Sequence, residues 1–90
     1  MNRFLIERTL PGAGNLSTDE LQAISHKSNC VLAEMAPRAQ WEHSYVVAEK
    51  IVCVYLAQDE AAVREHAARG GFPADAVHRV HTVIDPMSGT

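Results

Sequence analysis

Residues 40–56 read QWEHSYVVAEKIVCVYL, and this stretch decides the fold. It contains two runs rich in Val, Ile, Tyr, Trp and Cys, which are typical of β-strands, at about Gln40–Val47 and Ile51–Leu56. The link Ala48–Lys50 is too short to hold anything but a turn, so the two runs predict an antiparallel hairpin. The link contains no Gly or Asn, and the type of turn therefore stays open.

The segments on either side of this hairpin complete a βαββαβ pattern. A capping box at Ser17 and Glu20 begins a helix that Pro37 ends, and Gly70–Gly71 is a typical helix end. The predicted flanking elements are a strand at Asn2–Leu10, a helix from about Ser17 to Ala36, a second helix from Asp59 to about Gly70, and a strand at about Val77–Ile84. This order predicts one α+β domain over residues 1–90, a ferredoxin-like sandwich with a four-stranded antiparallel sheet, strand order 4-1-3-2, and both helices on one face.

Composition limits the possible partners. The 90 residues are 47% hydrophobic and carry a net charge of −3, with Lys and Arg scattered along the chain. That scatter argues against a nucleic-acid surface and against an anionic-membrane patch. The sequence has no apolar segment long enough to suggest a signal peptide or a membrane span. Two cysteines are too few for a disulfide framework. We therefore expect a cytoplasmic protein with reduced thiols.

Side chains alternate along strands, so each strand can be divided between the helix-covered face and the open face of the sheet. A three-residue link would pair Tyr45 with Cys53 and His43 with Tyr55, whereas a two-residue link would pair Val46 with Cys53. The three-residue link assigns to the helix side Phe4, Ile6, Val46, Val52, Val54, Leu56, Val80 and Ile84. It assigns to the open side Leu5, Glu7, Thr9, Trp41, His43, Tyr45, Val47, Ile51, Cys53, Tyr55, Arg79, His81 and Val83. So large an apolar surface predicts a homodimer with twofold symmetry.

The same predicted face carries metal-ligand chemistry in Glu7, His43, Cys53 and His81. Imidazole suits nickel, copper and zinc, and thiolate favours the softer metals of that series. We therefore predict a transition-metal site at these four residues, with nickel as the metal and zinc or copper as alternatives. Two plainer interpretations stay open: the histidines form hydrogen bonds in an interface, and Cys53 is a small buried hydrophobic residue.

Other candidate sites are weaker. His26 and Cys30 lie four residues apart on the exposed side of the first helix, a spacing that could chelate a metal. We expect His66 to pack or cap in the core, and His78 to be structural. The Gly12–Gly14 segment lacks the full glycine pattern and the Lys of a phosphate loop, so it predicts a plain turn.

Four segments resemble one small ferredoxin-like family that includes a nickel-binding protein and was long described as a domain of unknown function. They are FLIERT at residues 4–9, WEHSYV at residues 41–46, CVYLA at residues 53–57, and the pair Asp85–Pro86. The resemblance covers nearly the whole chain and implies a ferredoxin-like fold, a dimer and nickel binding. By position, Glu7, His43, Tyr45 and Cys53 match the family's pattern. His81 comes from strand alternation instead.

Three functions follow as hypotheses. The first is a dimeric nickel-binding protein for metal storage, buffering or sensing. The second is an enzyme of the dimeric α+β barrel kind, a small monooxygenase or isomerase acting on an apolar ring compound. A cavity of roughly 300 Å3 or more between sheet and helices would favour it, with Glu7 and His43 as an acid–base pair. The third is a non-catalytic assembly module. We expect a binding protein rather than an enzyme.

Overall fold

The computed structural model describes residues 1–90 and has the predicted α+β, ferredoxin-like architecture. The elements are β1 (Asn2–Thr9), α1 (Thr18–Met35), β2 (Ala39–Val46), β3 (Lys50–Ala57), α2 (Glu60–Gly70) and β4 (Ala76–Arg79), with short 3-10 helices at Ala13–Asn15 and Pro86–Gly89. The four strands form one antiparallel sheet in the order β2-β3-β1-β4. This is the predicted strand order.

Local capping signals define the ends of both helices. The Ser17 hydroxyl accepts the Glu20 amide, and the Glu20 carboxylate accepts the Ser17 amide, both at 3.1 Å. Asp59 accepts the Ala62 amide at 2.8 Å and so begins α2. Gly71 ends α2 with a φ of 69°, a left-handed conformation that glycine adopts without steric cost.

The hydrophobic core lies between the helices and one face of the sheet. Ile6 and Ala57 are fully buried at its centre, and Met35 and Val63 bring the two helices against them. Phe4, Cys53 and Tyr55 belong to the same buried cluster. No helix is long and apolar enough to cross a membrane.

The hairpin register differs from the predicted one by one residue. The Val47 amide donates to the Lys50 carbonyl at 3.0 Å, so the turn consists of Ala48 and Glu49 alone. Tyr45 therefore pairs with Val52, and Ser44 pairs with Cys53. A β-bulge between Trp41 and His43 shifts the register again, so Trp41 pairs with Tyr55. A shift of one residue moves side chains to the other face of a sheet.

The predicted faces of β3 were consequently wrong. Because Ile6 pairs with Cys53 and Phe4 pairs with Tyr55, β3 turns Ile51, Cys53 and Tyr55 toward the helices, and Trp41 follows them. Val52, Val54 and Leu56 instead lie on the open face. The register also places Arg79 on the side of Phe4, whereas Val80 lines an open-face groove with Leu5 and His43. The assignments of Phe4, Ile6, Val46, Leu5, Glu7, His43 and Tyr45 are confirmed.

The C-terminal part of the chain is less regular than predicted. The strand β4 ends at Arg79, five residues before the predicted end at Ile84. Ile84 is 79% exposed and does not pack under the helices. After this strand, Asp85 caps the short 3-10 helix Pro86–Gly89 by accepting the Met87 amide at 2.9 Å.

Candidate metal site on the open sheet face

Glu7 is the centre of the polar chemistry on the open face. Its carboxylate accepts from Lys50 Nζ at 3.2 Å and lies 3.1 Å from Nε2 of His78. The sheet creates this contact because β4 lies beside β1, with Leu5 opposite His78 and Glu7 one step further along the same face. The hydrogen bond to His78 first, and then the bond to Lys50, lower the pKa of Glu7 below its ordinary value. Glu7 is therefore a carboxylate at neutral pH.

His43 shares the open face with Glu7 but lies on the far side of β3. It pairs with Val54, which in turn pairs with Leu5, so one whole strand separates His43 from β1. Two strand spacings separate the backbones of the two residues by roughly 10 Å. The Glu7 carboxylate is bonded to Lys50 and His78, so it forms no pair with His43 in this chain. The ring of His43 instead meets the ring of Tyr45 edge-on, with centroids 5.1 Å apart.

Cys53 and His81 do not join Glu7 either. Cys53 is only 4% exposed and lies on the opposite face of the sheet, between Ile6 and Ser44. Its predicted open-face position was wrong because the hairpin turn is shorter than expected. His81 follows the end of β4 and is exposed. No three His, Cys, Asp or Glu side chains gather around one point in the chain.

His78 was not among the four predicted metal ligands. It was expected to face opposite to His81 or to lie at a sheet edge, and to be structural. It lies on the edge strand β4, where it contacts Glu7 on the open face. His78 and Val80 are two residues apart, so they share a face of a continuous strand. The predicted alternation of β4 placed His81 on the open face and so put these two residues on the helix side, but His81 lies beyond the end of the strand.

Beside these polar groups the open face forms an apolar groove of about 450 Å3. An ion pair between Arg3 and Glu42, at 3.0 Å, closes part of its rim. Tyr45 and Val83 are 58% and 63% exposed along it. The other lining residues are Leu5, His43, Val54 and Val80. The open face thus has an apolar surface, which suits a protein partner, and a carboxylate–imidazole pair, which suits a metal ion.

These features describe a small ferredoxin-like protein with ligand-type side chains on an open sheet face. Residues 4–80 match the family described as nickel responsive protein SCO4226-like, and the chain belongs to this family. No curated protein matches the chain. Its structure is similar to the crystal structure of SCO4226 from Streptomyces coelicolor A3(2), with a TM-score of 0.77 and 19% identity over 91% of this chain and 99% of that one. At that identity the likeness shows the fold alone.

Proposed function

We propose that this chain is a nickel-binding protein that works as a homodimer in metal storage, buffering or sensing. The observation that carries the proposal is the pair formed by Glu7 and His78 on the open face. The family description, nickel responsive protein, supports the choice of metal. The proposed compartment is the cytoplasm, where the free thiols of Cys30 and Cys53 stay reduced.

The donors on the open face fit a nickel ion in type but not in number. Imidazole nitrogen and carboxylate oxygen both bind divalent nickel, and zinc and copper remain alternatives with the same donors. Glu7 and His78 supply two donors, which is fewer than such ions require. A twofold axis through the open face would bring a second copy of both residues to the same region. His43 on the open face, and His81, which is exposed beyond the end of β4, are the further candidate ligands.

The apolar groove on the same face of the sheet supports the dimer. Val54 and Leu5 form the floor of the groove, and the exposed ring of Tyr45 stands at its edge. Contiguous exposed apolar surface of this kind marks interaction sites. Packing two such faces together would bury the groove and desolvate the carboxylate–imidazole pairs, which strengthens the demand for a cation between them.

The geometry is less favourable to the enzyme hypothesis as it was framed from the sequence. A cavity does lie between sheet and helices, and Trp41 and Tyr55 line it as an aromatic-substrate site would require. Glu7 and His43, the expected acid–base pair, lie on the other face and are separated by β3. They cannot act on the contents of that cavity, and the Glu7 carboxylate is bonded to His78 and Lys50 rather than to His43.

The test is a nickel titration of chelator-free, untagged protein by calorimetry. Wild type should take up nickel stoichiometrically, and both His78→Ala and Glu7→Gln should weaken binding by at least about tenfold, because each removes a ligand or its partner. The matched control is the double variant His26→Ala/Cys30→Ser. It removes a second close pair of potential ligands, His26 Nε2 and Cys30 Sγ at 3.6 Å, and should bind nickel like wild type.

Two results would contradict the proposal. One is a wild-type protein that takes up no nickel, copper or zinc. The other is nickel binding that survives in His78→Ala and Glu7→Gln but is lost in the His26→Ala/Cys30→Ser control, which would place the metal on α1.

A further inference from the structure

A second cavity lies on the other side of the sheet, between the strands and the two helices. Its volume is about 260 Å3, and its apolar wall comprises Leu10, Leu21, Ile24, Trp41, Val46 and Phe72. Val46 is 41% exposed, so the cavity reaches the surface beside β2. An apolar cavity of about 150 Å3 already admits a benzene ring. The space therefore suffices for one ring with a small substituent.

A buried cation lines this cavity. Arg8 is 5% exposed, and its Nη1 donates to the carbonyl oxygen of Pro73. Its other terminal nitrogen, Nη2, is buried and has no hydrogen-bond partner. The guanidinium carbon lies 5.9 Å from the ring centroid of Tyr55 and 5.5 Å from that of Phe72. The two rings stabilise the charge in part, but neither residue supplies a negative charge.

No anion of the chain neutralises Arg8. No Asp or Glu lines the cavity, and Arg8 forms no ion pair, while the other arginines near carboxylates do so on the surface. His66 packs against Tyr55 with ring centroids 5.1 Å apart, and burial together with the charge of Arg8 keeps it neutral. Tyr55 is a neutral phenol because burial raises its pKa. An unpaired buried charge is costly, so a ligand that supplies the missing anion would bind favourably here.

We propose that this cavity is a binding site for a small apolar carboxylate, with Arg8 as the partner of the carboxylate and the aromatic and aliphatic wall as the site for the ring or short chain. The free Nη2 would donate to one carboxylate oxygen, as arginine does in charge-assisted pairs. Ser25, Ser28 and Ser44 also line the cavity, and their hydroxyls are bonded within the chain to Leu21, His66 and Trp41. The site is separate from the open-face pair, because Glu7 and Arg8 point to opposite faces of β1.

Benzoate is the probe, and benzyl alcohol is its neutral counterpart of similar shape. In a titration of the full chain followed by 1H–15N correlation spectra, benzoate should shift the signals of Arg8, Tyr55 and Phe72 and their neighbours. Benzyl alcohol should bind at least about tenfold more weakly, since it lacks the charge that pairs with the guanidinium.

Arg8→Met removes the charge and keeps most of the side-chain volume. It should lower benzoate affinity by at least about tenfold and leave benzyl alcohol binding unchanged. The control is Arg64→Met, which alters an exposed arginine on α2 that pairs only with Glu60. It should bind benzoate like wild type.

The proposal is overturned if benzoate shifts no cavity signals in wild type, or if Arg8→Met binds benzoate as tightly as wild type does. If Arg8→Met does not fold, the comparison of benzoate with benzyl alcohol in the wild-type protein decides. The site is supported if benzoate shifts only signals of residues at the cavity and binds more tightly than benzyl alcohol. Equal binding of the two compounds, or shifts scattered over surface lysines and arginines, refutes it.

Discussion

His66 lies in the core at 1% exposure, with Nε2 3.0 Å from the hydroxyl of Ser28 and Nδ1 without a partner. It was expected either to pack or to cap, and it packs in the core. Burial, and then the positive charge of Arg8, lower its pKa to about 4 from the ordinary 6.5. Folding therefore requires the neutral imidazole over most of the physiological pH range.

His66 should make the free energy of unfolding fall as the pH is lowered. The unfolded chain protonates His66 below pH 6.5, whereas the folded protein does so only near pH 4, so the unfolded state binds more protons in this window. Stability should thus be complete above pH 6.5 and fall as the pH drops toward 4, by up to about 3 kcal/mol. Urea denaturation of wild type and of His66→Gln at pH 7.5 and pH 5 measures the difference. A wild-type loss that equals the loss in His66→Gln would contradict the assignment.

The two cysteines should differ in reactivity. Cys30 is exposed on α1, whereas Cys53 is 4% exposed in the core. Iodoacetamide should therefore modify Cys30 in the native protein and reach Cys53 only after unfolding, which peptide mass spectrometry resolves residue by residue. Rapid native labelling of Cys53 would mean that β3 has the register first predicted, with this thiol on the open face.

At the scale of elements, helix α1 depends on its capping box. Ser17→Ala removes the hydroxyl that accepts the Glu20 amide, and it should lower the free energy of unfolding by about 1 kcal/mol. Thr18→Ala, one residue further along, removes a hydroxyl that forms no hydrogen bond and should change stability by a few tenths of a kcal/mol at most. Urea denaturation at pH 7 compares the variants. Equal effects of the two substitutions would show that the cap contributes nothing specific.

The sequence predicts the helix ends better than the strand faces, for a physical reason. Ser17, Asp59 and Gly71 act on backbone groups within four residues of themselves, so their signals can be read locally. The phase of β3 depends instead on whether the turn at Ala48–Glu49 has two residues or three, and neither residue requires a special backbone conformation. One residue of uncertainty was enough to place Cys53 on the wrong face.

The candidate site was predictable only in part for the same reason. Glu7 and His43 were correctly placed because β1 and the outer part of β2 have clear alternation. His78 could not be identified from its own neighbours, since its contact with Glu7 depends on β4 pairing with β1 across more than 70 residues of chain. The cavity at Arg8 gave no signal of its own, because an arginine in an alternating strand is usually exposed.

For the whole molecule, we expect a dimer joined through the open face. Wild type should elute and scatter light as twice the chain mass of 9.9 kDa, and Tyr45→Arg should shift the protein toward the monomer, because it places a charge in the apolar surface. Ala33→Arg, an exposed change on α1, is the control and should leave the dimer intact. A monomeric wild type, or a Tyr45→Arg variant that stays dimeric, would move the interface elsewhere.

The alternation of side chains along β1 has an evolutionary consequence. Glu7 and Arg8 are adjacent in sequence, yet one belongs to the open face and the other to the cavity beneath the helices. The backbone hydrogen bonds that hold the strand between β3 and β4 are made by every residue regardless of its side chain. Selection can therefore alter one surface through odd positions and the other through even positions of the same strand. The odd and even positions of this eight-residue strand can therefore be substituted independently of each other while the sheet stays the same.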